Sequence, residues 1–219
     1  MYGLRPAALV KPDGPMGRAR AADAAMVGAA VGVRALPESF RALGSLPAID
    51  YADRFTLATD APATPEQWAR AMFGDVPGFA QQVIWRGLLG LRLSRGRSPD
   101  TVAGWRVTGR GEDWIRLEAA SWFLSGNLVV RAGGGKVSLG TFLHYDGRLG
   151  RRVWPPLSAI HRRLVPGLLR DAVATVEDRD RPDGDRDRPD GDRDRPDGDR
   201  ARPGGDRDRA PESRKGGTR

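Results

Sequence analysis

The chain contains two histidines, His144 and His161, and no cysteine. Thiolate nucleophiles, disulfides and thiolate zinc sites are therefore excluded, and two imidazoles are too few for a histidine-rich metal centre. No spacing of His, Asp or Glu calls for a metal, and no cofactor is expected. What remains is acid–base work by an imidazole with a carboxylate partner, since imidazole changes charge near neutral pH. His161 falls on the apolar stripe of a long amphipathic segment, so it faces a core or a cavity. More often such a residue is a core histidine hydrogen-bonded to a backbone carbonyl. His144 stands beside Tyr145 and Asp146 at a strand end, where an acid–base cluster or a plain polar turn would look alike. Asp53, Glu118 and Asp146 are the carboxylates that tertiary structure could bring to these rings.

A second candidate is the stretch "DWIRLEAASW", residues 113–122. Read as a strand, it sends Ile115, Leu117 and Ala119 to one face and Trp114, Arg116, Glu118 and Trp122 to the other. If the first face is inward, Arg116 and Glu118 form a surface ion pair of little energetic consequence. If the tryptophan face is inward, the pair is buried and its guanidinium could grip an anionic ligand, with Arg106 as a second anchor. Parity alone leaves both open. "GGGK" at 133–136 lacks the spacing and the Ser/Thr of a phosphate loop and sits between two strands, so it reads as a turn. Trp68, Trp85, Trp105 and Trp154 read as core fillers that could equally line a pocket.

The elements that position these residues follow from periodicity. "YADRFTLAT" (51–59) reads as a first strand. "TPEQWARAMFG" (64–74) opens on a Thr-x-x-Gln capping box with proline at the first helical position and stops at Gly74. Residues 78–91 read as a second helix, with Phe79, Val83, Leu88 and Leu91 among its apolar positions. Strands follow at 101–109, 113–123, 126–132 and 136–146, joined by short Gly-containing turns and hence antiparallel. From Pro156 to Val176, Leu157, Ile160, Leu164, Leu168, Ala172 and Val176 step by three and four, the pattern of an amphipathic helix that Pro166 should kink. The expectation is an α+β fold in which one long helix packs on an antiparallel sheet.

This order, with "IDYADRF", "TPEQWARAMFG", "LLGLRL", "VAGWRV", "TFLHYD" and "VWPPLSAIHRRLVPGLL", resembles the bacterial family called domain of unknown function 2867. That family lies in the helix-grip superfamily of START, pollen-allergen and polyketide-cyclase-like proteins. The resemblance covers residues 34–176. It implies a helix-grip fold, a curved sheet wrapped on the C-terminal helix, with a cavity between them for small apolar or amphipathic molecules. It implies no particular activity.

Outside that span, residues 1–33 read as a disordered or over-called N-terminus, with Met16 and Met26 as alternative starts. The apolar run at 24–33 is short and Ala/Gly-weak for a signal peptide. Residues 177–219 repeat "DRDRPDG" three times and offer nothing to bury, so a disordered tail is expected. The chain has a net charge of +8, but 13 of its 36 basic and 14 of its 28 acidic residues lie in that tail, so the surplus sits upstream. The upstream arginines are scattered rather than clustered, which argues against a nucleic-acid surface. No apolar run is long enough to span a membrane, and a cytoplasmic location is expected. The leading functional expectation is a domain that binds an apolar or amphipathic small molecule. The candidate ligand-binding residues are Arg106, Trp114, Arg116, Glu118, Trp122, His144 and His161. The alternatives are a cyclase-, dehydratase- or hydrolase-like enzyme using a cavity histidine, and a partner-binding module.

Overall fold

The computed structural model describes residues 26–180. Most of the expected disordered N-terminus and the repeat tail beyond residue 180 lie outside the described residues. The architecture is α+β: a seven-stranded antiparallel sheet, two helices after its second strand, and a long C-terminal helix. The strands are β1 (Gly28–Val31), β2 (Tyr51–Ala58), β3 (Thr101–Val102), β4 (Trp105–Arg110), β5 (Trp114–Ala120), β6 (Ser125–Ala132) and β7 (Lys136–His144). Their spatial order is β1-β2-β7-β6-β5-β4-β3.

β1 corrects the expectation for residues 1–33, because four of those residues pair with β2, Val31 opposite Asp53. "GAAV" carries little strand propensity of its own, and its place is set by pairing to the neighbour. The stretch 101–109 is not one strand. It folds back at Ala103 (φ 49) and Gly104 (φ 81), a two-residue turn with both residues left-handed. A Cβ on Gly104 would also lie 2.8 Å from the Ser94 carbonyl oxygen, so both conformation and space favour glycine there.

The helices are α1 (Glu38–Arg41), α2 (Pro65–Phe73), α3 (Phe79–Gln82) and α4 (Arg148–Arg179). α2 is built as its sequence says. Thr64 Oγ1 accepts from the Gln67 N–H, the Gln67 side chain accepts from the Thr64 N–H, and Gly74 closes the helix at φ 78. α3 passes directly into a π-helical turn, Val83–Leu88. Of the apolar positions noted in 78–91, Val83 and Leu88 are exposed, while Leu91 is buried, as is Leu89. α4 starts eight residues before Pro156 and contains Pro155, Pro156 and Pro166. It also continues past Val176 into the first repeat unit.

α4 buries Trp154, Ser158, Val165, Leu169, Ala172, Val173 and Val176. Of the stripe expected to face the sheet, Ala172 and Val176 do so. Leu157 is half-buried, but Ile160 and Leu164 remain 51% and 56% exposed. The face of the sheet covered by α2 and α4 holds the main core, with Phe55, Leu57, Trp68, Met72, Phe73, Leu117, Leu139, Leu143, Trp154 and Leu169 in mutual contact.

The opposite face is covered too. Residues 33–49 form a strap across it, packing Leu36 and Phe40 on Ala52, Val129 and Phe142, with Leu43, Leu46 and Ile49 around them. Phe40 seats on Gly140, where a Cβ would fall 2.8 Å from the ring Cζ. That covering is why polar residues on the second face are half-buried rather than solvated.

Candidate functional site

Strand register decides what meets what. Residues directly opposite in antiparallel strands project to the same face. Across the α4-facing side one row reads Val31, Asp53, Thr141, Leu128, Leu117 and Val107. Asp53 and Thr141 are therefore two polar groups in an otherwise apolar row, and His161 of α4 comes down on them. Its Nε2 is aligned for a hydrogen bond with Thr141 Oγ1 at 3.2 Å and lies 3.1 Å from Asp53 Oδ2.

Tyr51, two residues before Asp53 and on the same face, donates its hydroxyl to the same oxygen at 2.5 Å. Asp53 is fully buried, and its other oxygen, Oδ1, has no hydrogen-bond partner. Burial pushes the Tyr51 phenol well above its ordinary value, and the Asp53 charge and hydrogen bond act in the same direction, with Arg162 opposing. Aromatic rings wall the cluster: Trp154 lies 5.5 Å from the His161 ring, and Phe55 meets it edge-on at 6.4 Å. The indole Nε1 of Trp154 is likewise buried without a partner.

One-fifth of the His161 side chain remains in solvent, while Asp53 has none. The imidazole is thus the layer between a buried carboxylate and the outside. Its Nδ1 makes no hydrogen bond among the described residues, so one ring nitrogen is held and the other is free to meet a ligand. Leu157, Ile160 and Leu164 flank His161 on α4, and Val31, 44% exposed, is the edge residue of the row that holds Asp53. His161 thus has apolar neighbours on its own helix, while the adjacent Arg162 interacts with the Tyr51 hydroxyl.

The other expected site residues fall elsewhere. In β5, Ile115, Leu117 and Ala119 are buried toward α4, which puts Trp114, Arg116 and Glu118 on the strap side, away from His161. They are not the bare surface pair that this orientation implied. Arg116 donates to the Leu43 carbonyl at 3.0 Å and lies 3.1 Å from Glu118. Glu118 accepts from Ser45 Oγ, and Ser45 in turn bonds the buried Asn127 Oδ1 through its N–H at 2.8 Å. Burial pushes the Glu118 carboxyl up, but hydrogen bonds from Ser45 and Thr108 and the charges of Arg116 and Arg106 outweigh it and leave it lowered. This network anchors the strap to the sheet.

Arg106 lies opposite Glu118 on the same face and is exposed. Trp122 is not on β5 at all. It sits in the turn after the strand, 70% exposed, so the two tryptophans do not bracket one face. His144 ends β7, its Nδ1 2.9 Å from Asp50 Oδ2 without hydrogen-bond alignment and its Nε2 3.7 Å from Asp146. Asp50 Oδ2 also accepts from the Tyr145 N–H, which makes this cluster a turn lock.

Tyr51 was not singled out in the sequence, although its position two before Asp53 on one strand places both on one face. Ser45 and Asn127 carried no such signal. Beyond the C-terminal end of β2, Thr59, Asp60, Ala63, Trp68, Gly135 and Lys136 line a cleft of about 260 Å3, small for a ligand pocket. Among the described residues no cluster of His, Asp and Glu could hold a metal ion. Comparison with known protein families, with curated proteins and with solved structures finds no match.

Proposed function

We propose that residues 34–176 are a small-molecule-binding domain of the helix-grip kind, whose ligand is apolar or amphipathic and sits at the seam between α4 and β2. The observation that carries this reading is Asp53: fully buried, one oxygen unpartnered, and separated from solvent by a partly open histidine. A buried carboxylate left half-satisfied costs stability, so its retention asks for an explanation beyond packing. The apolar rim of Leu157, Ile160, Leu164 and Val31 suits a greasy ligand body, and His161 Nδ1 suits its single polar end.

The convergence of His161 and Asp53 also favours a second reading, in which the imidazole works as a general acid–base on that bound molecule. Asp53 would orient the ring and offset its charge, while Tyr51 stays protonated and donates to Asp53. On this reading the ligand is a substrate carrying its exchangeable proton next to Nδ1.

Native mass spectrometry of the full chain from a bacterial host tests the binding claim, together with thermal shifts against long-chain alcohols, fatty acids and phenols. A retained molecule, or stabilisation by one of these classes, that is lost in Ile160→Glu supports the site, because Ile160 is exposed and its replacement leaves the fold intact. An empty chain that no compound stabilises would overturn it.

A further inference from the structure

Trp122 is the most exposed aromatic side chain among the described residues at 70%, and it does not stand alone. Its ring meets the neighbouring buried Phe123 edge-on at 5.0 Å. Phe123 is also where two other segments converge. A Cβ on Gly90 would lie 3.6 Å from its ring, and a Cβ on Gly150 would lie 2.8 Å from its carbonyl oxygen. Leu88, two residues before Gly90, and Leu149, beside Gly150, are 51% and 38% exposed. Three large apolar side chains, from three segments that meet at Phe123, are thus presented to solvent.

The charge beside them is mostly positive. Arg92, Arg148 and Arg152 are exposed and form no ion pair among the described residues. From Arg148 to Arg170, α4 carries six arginines and no acidic residue. One acidic residue is nearby: Asp146 is exposed, its N–H donates to the Phe123 carbonyl at 3.1 Å and its carboxylate accepts from the Ser125 hydroxyl at 2.7 Å.

We infer that this end of the domain, Trp122 with Leu88 and Leu149 amid unpaired arginines, docks peripherally on an anionic lipid surface. Two physical arguments select a bilayer. Three side chains of at most ~200 Å2 each fall short of the ~800 Å2 per partner of a stable protein interface. A bilayer interface needs no such area, because it takes an indole at headgroup depth and its anionic headgroups attract nearby arginines. No described helix is long and apolar enough to cross a membrane, so the contact lies at the surface.

The test is co-sedimentation of the full chain with vesicles of phosphatidylcholine alone and of phosphatidylcholine mixed equally with phosphatidylglycerol. Binding should require phosphatidylglycerol and weaken with added salt. Trp122→Ala should reduce the partition coefficient on the order of tenfold, and Arg148→Glu and Arg152→Glu by roughly fivefold each. Unchanged unfolding midpoints in these exposed-site variants show that the fold is kept. The inference is overturned if the full chain ignores the anionic vesicles, or if Trp122→Ala binds them like the wild type, which would assign binding to arginines elsewhere in the chain. A Trp122-dependent dimer, or Trp122-dependent retention of duplex DNA in place of vesicles, would overturn it equally.

Discussion

The contact between Asp53 and His161 should appear as strong thermodynamic coupling. At 3.1 Å the imidazole is in contact with a carboxylate that has no exposure to solvent, so it helps offset the cost of burying that group. His161→Ala leaves Asp53 with only the Tyr51 hydroxyl, and breaking such a buried pair costs about 3 kcal/mol. Asp53→Ala strands the Tyr51 hydroxyl and removes a charge-assisted bond, for about 2 kcal/mol. The double variant removes the charge and its partner together. It should therefore cost about 3 kcal/mol rather than the sum of the singles, a coupling near 2 kcal/mol. Urea unfolding of the four proteins at neutral pH measures this, provided the slope with denaturant stays constant across the set. Additivity to within about 0.5 kcal/mol would refute the reasoning, because residues in true contact do not behave independently. The same outcome would weaken the proposed ligand site, which depends on His161 being held by the carboxylate beneath it.

The Tyr51 environment predicts an alkaline limb. A phenol raised in the folded state contributes stability that is complete below the unfolded value of about 10 and declines as pH rises past it, by up to about 1.4 kcal/mol per pH unit. Tyr145 is raised as well, by burial and then by the Asp50 charge. Tyr51→Phe should therefore roughly halve the alkaline slope of the urea midpoint rather than abolish it; an unaltered slope would mean that Tyr51 is not buried against Asp53. On the other face of the sheet, Gly140→Ala drives a Cβ into the Phe40 ring and should cost about 2 kcal/mol in thermal or urea unfolding. A change below about 0.5 kcal/mol would show that the strap can lift away freely.

What was legible in the sequence is what local rules control. The capping box of α2 lies within four residues, and the hairpins within a strand length. The long helix announces itself by spacing, although the exposure of Ile160 and Leu164 shows that spacing does not say which stripe meets the sheet. β1 was hidden because "GAAV" carries almost no side-chain signal and is fixed by its neighbour. The half-burial of Arg116 and Glu118 was hidden because alternation within β5 is silent about a strap arriving from residues 33–49. The candidate site belongs to the same class of non-local facts. His161 and Asp53 were both visible as chemistry, but their meeting depends on β2 pairing with β7 so that Asp53 stands opposite Thr141. A slip of one residue would carry Tyr51, Asp53 and Phe55 to the strap side and turn Ala52 and Arg54 toward α4. The apolar weight of Phe55 and Leu57 on the same face as Asp53 forbids that slip. The core that fixes the register therefore also fixes the carboxylate beneath the histidine, and any ligand chemistry at His161 is held in place by residues that never touch the ligand.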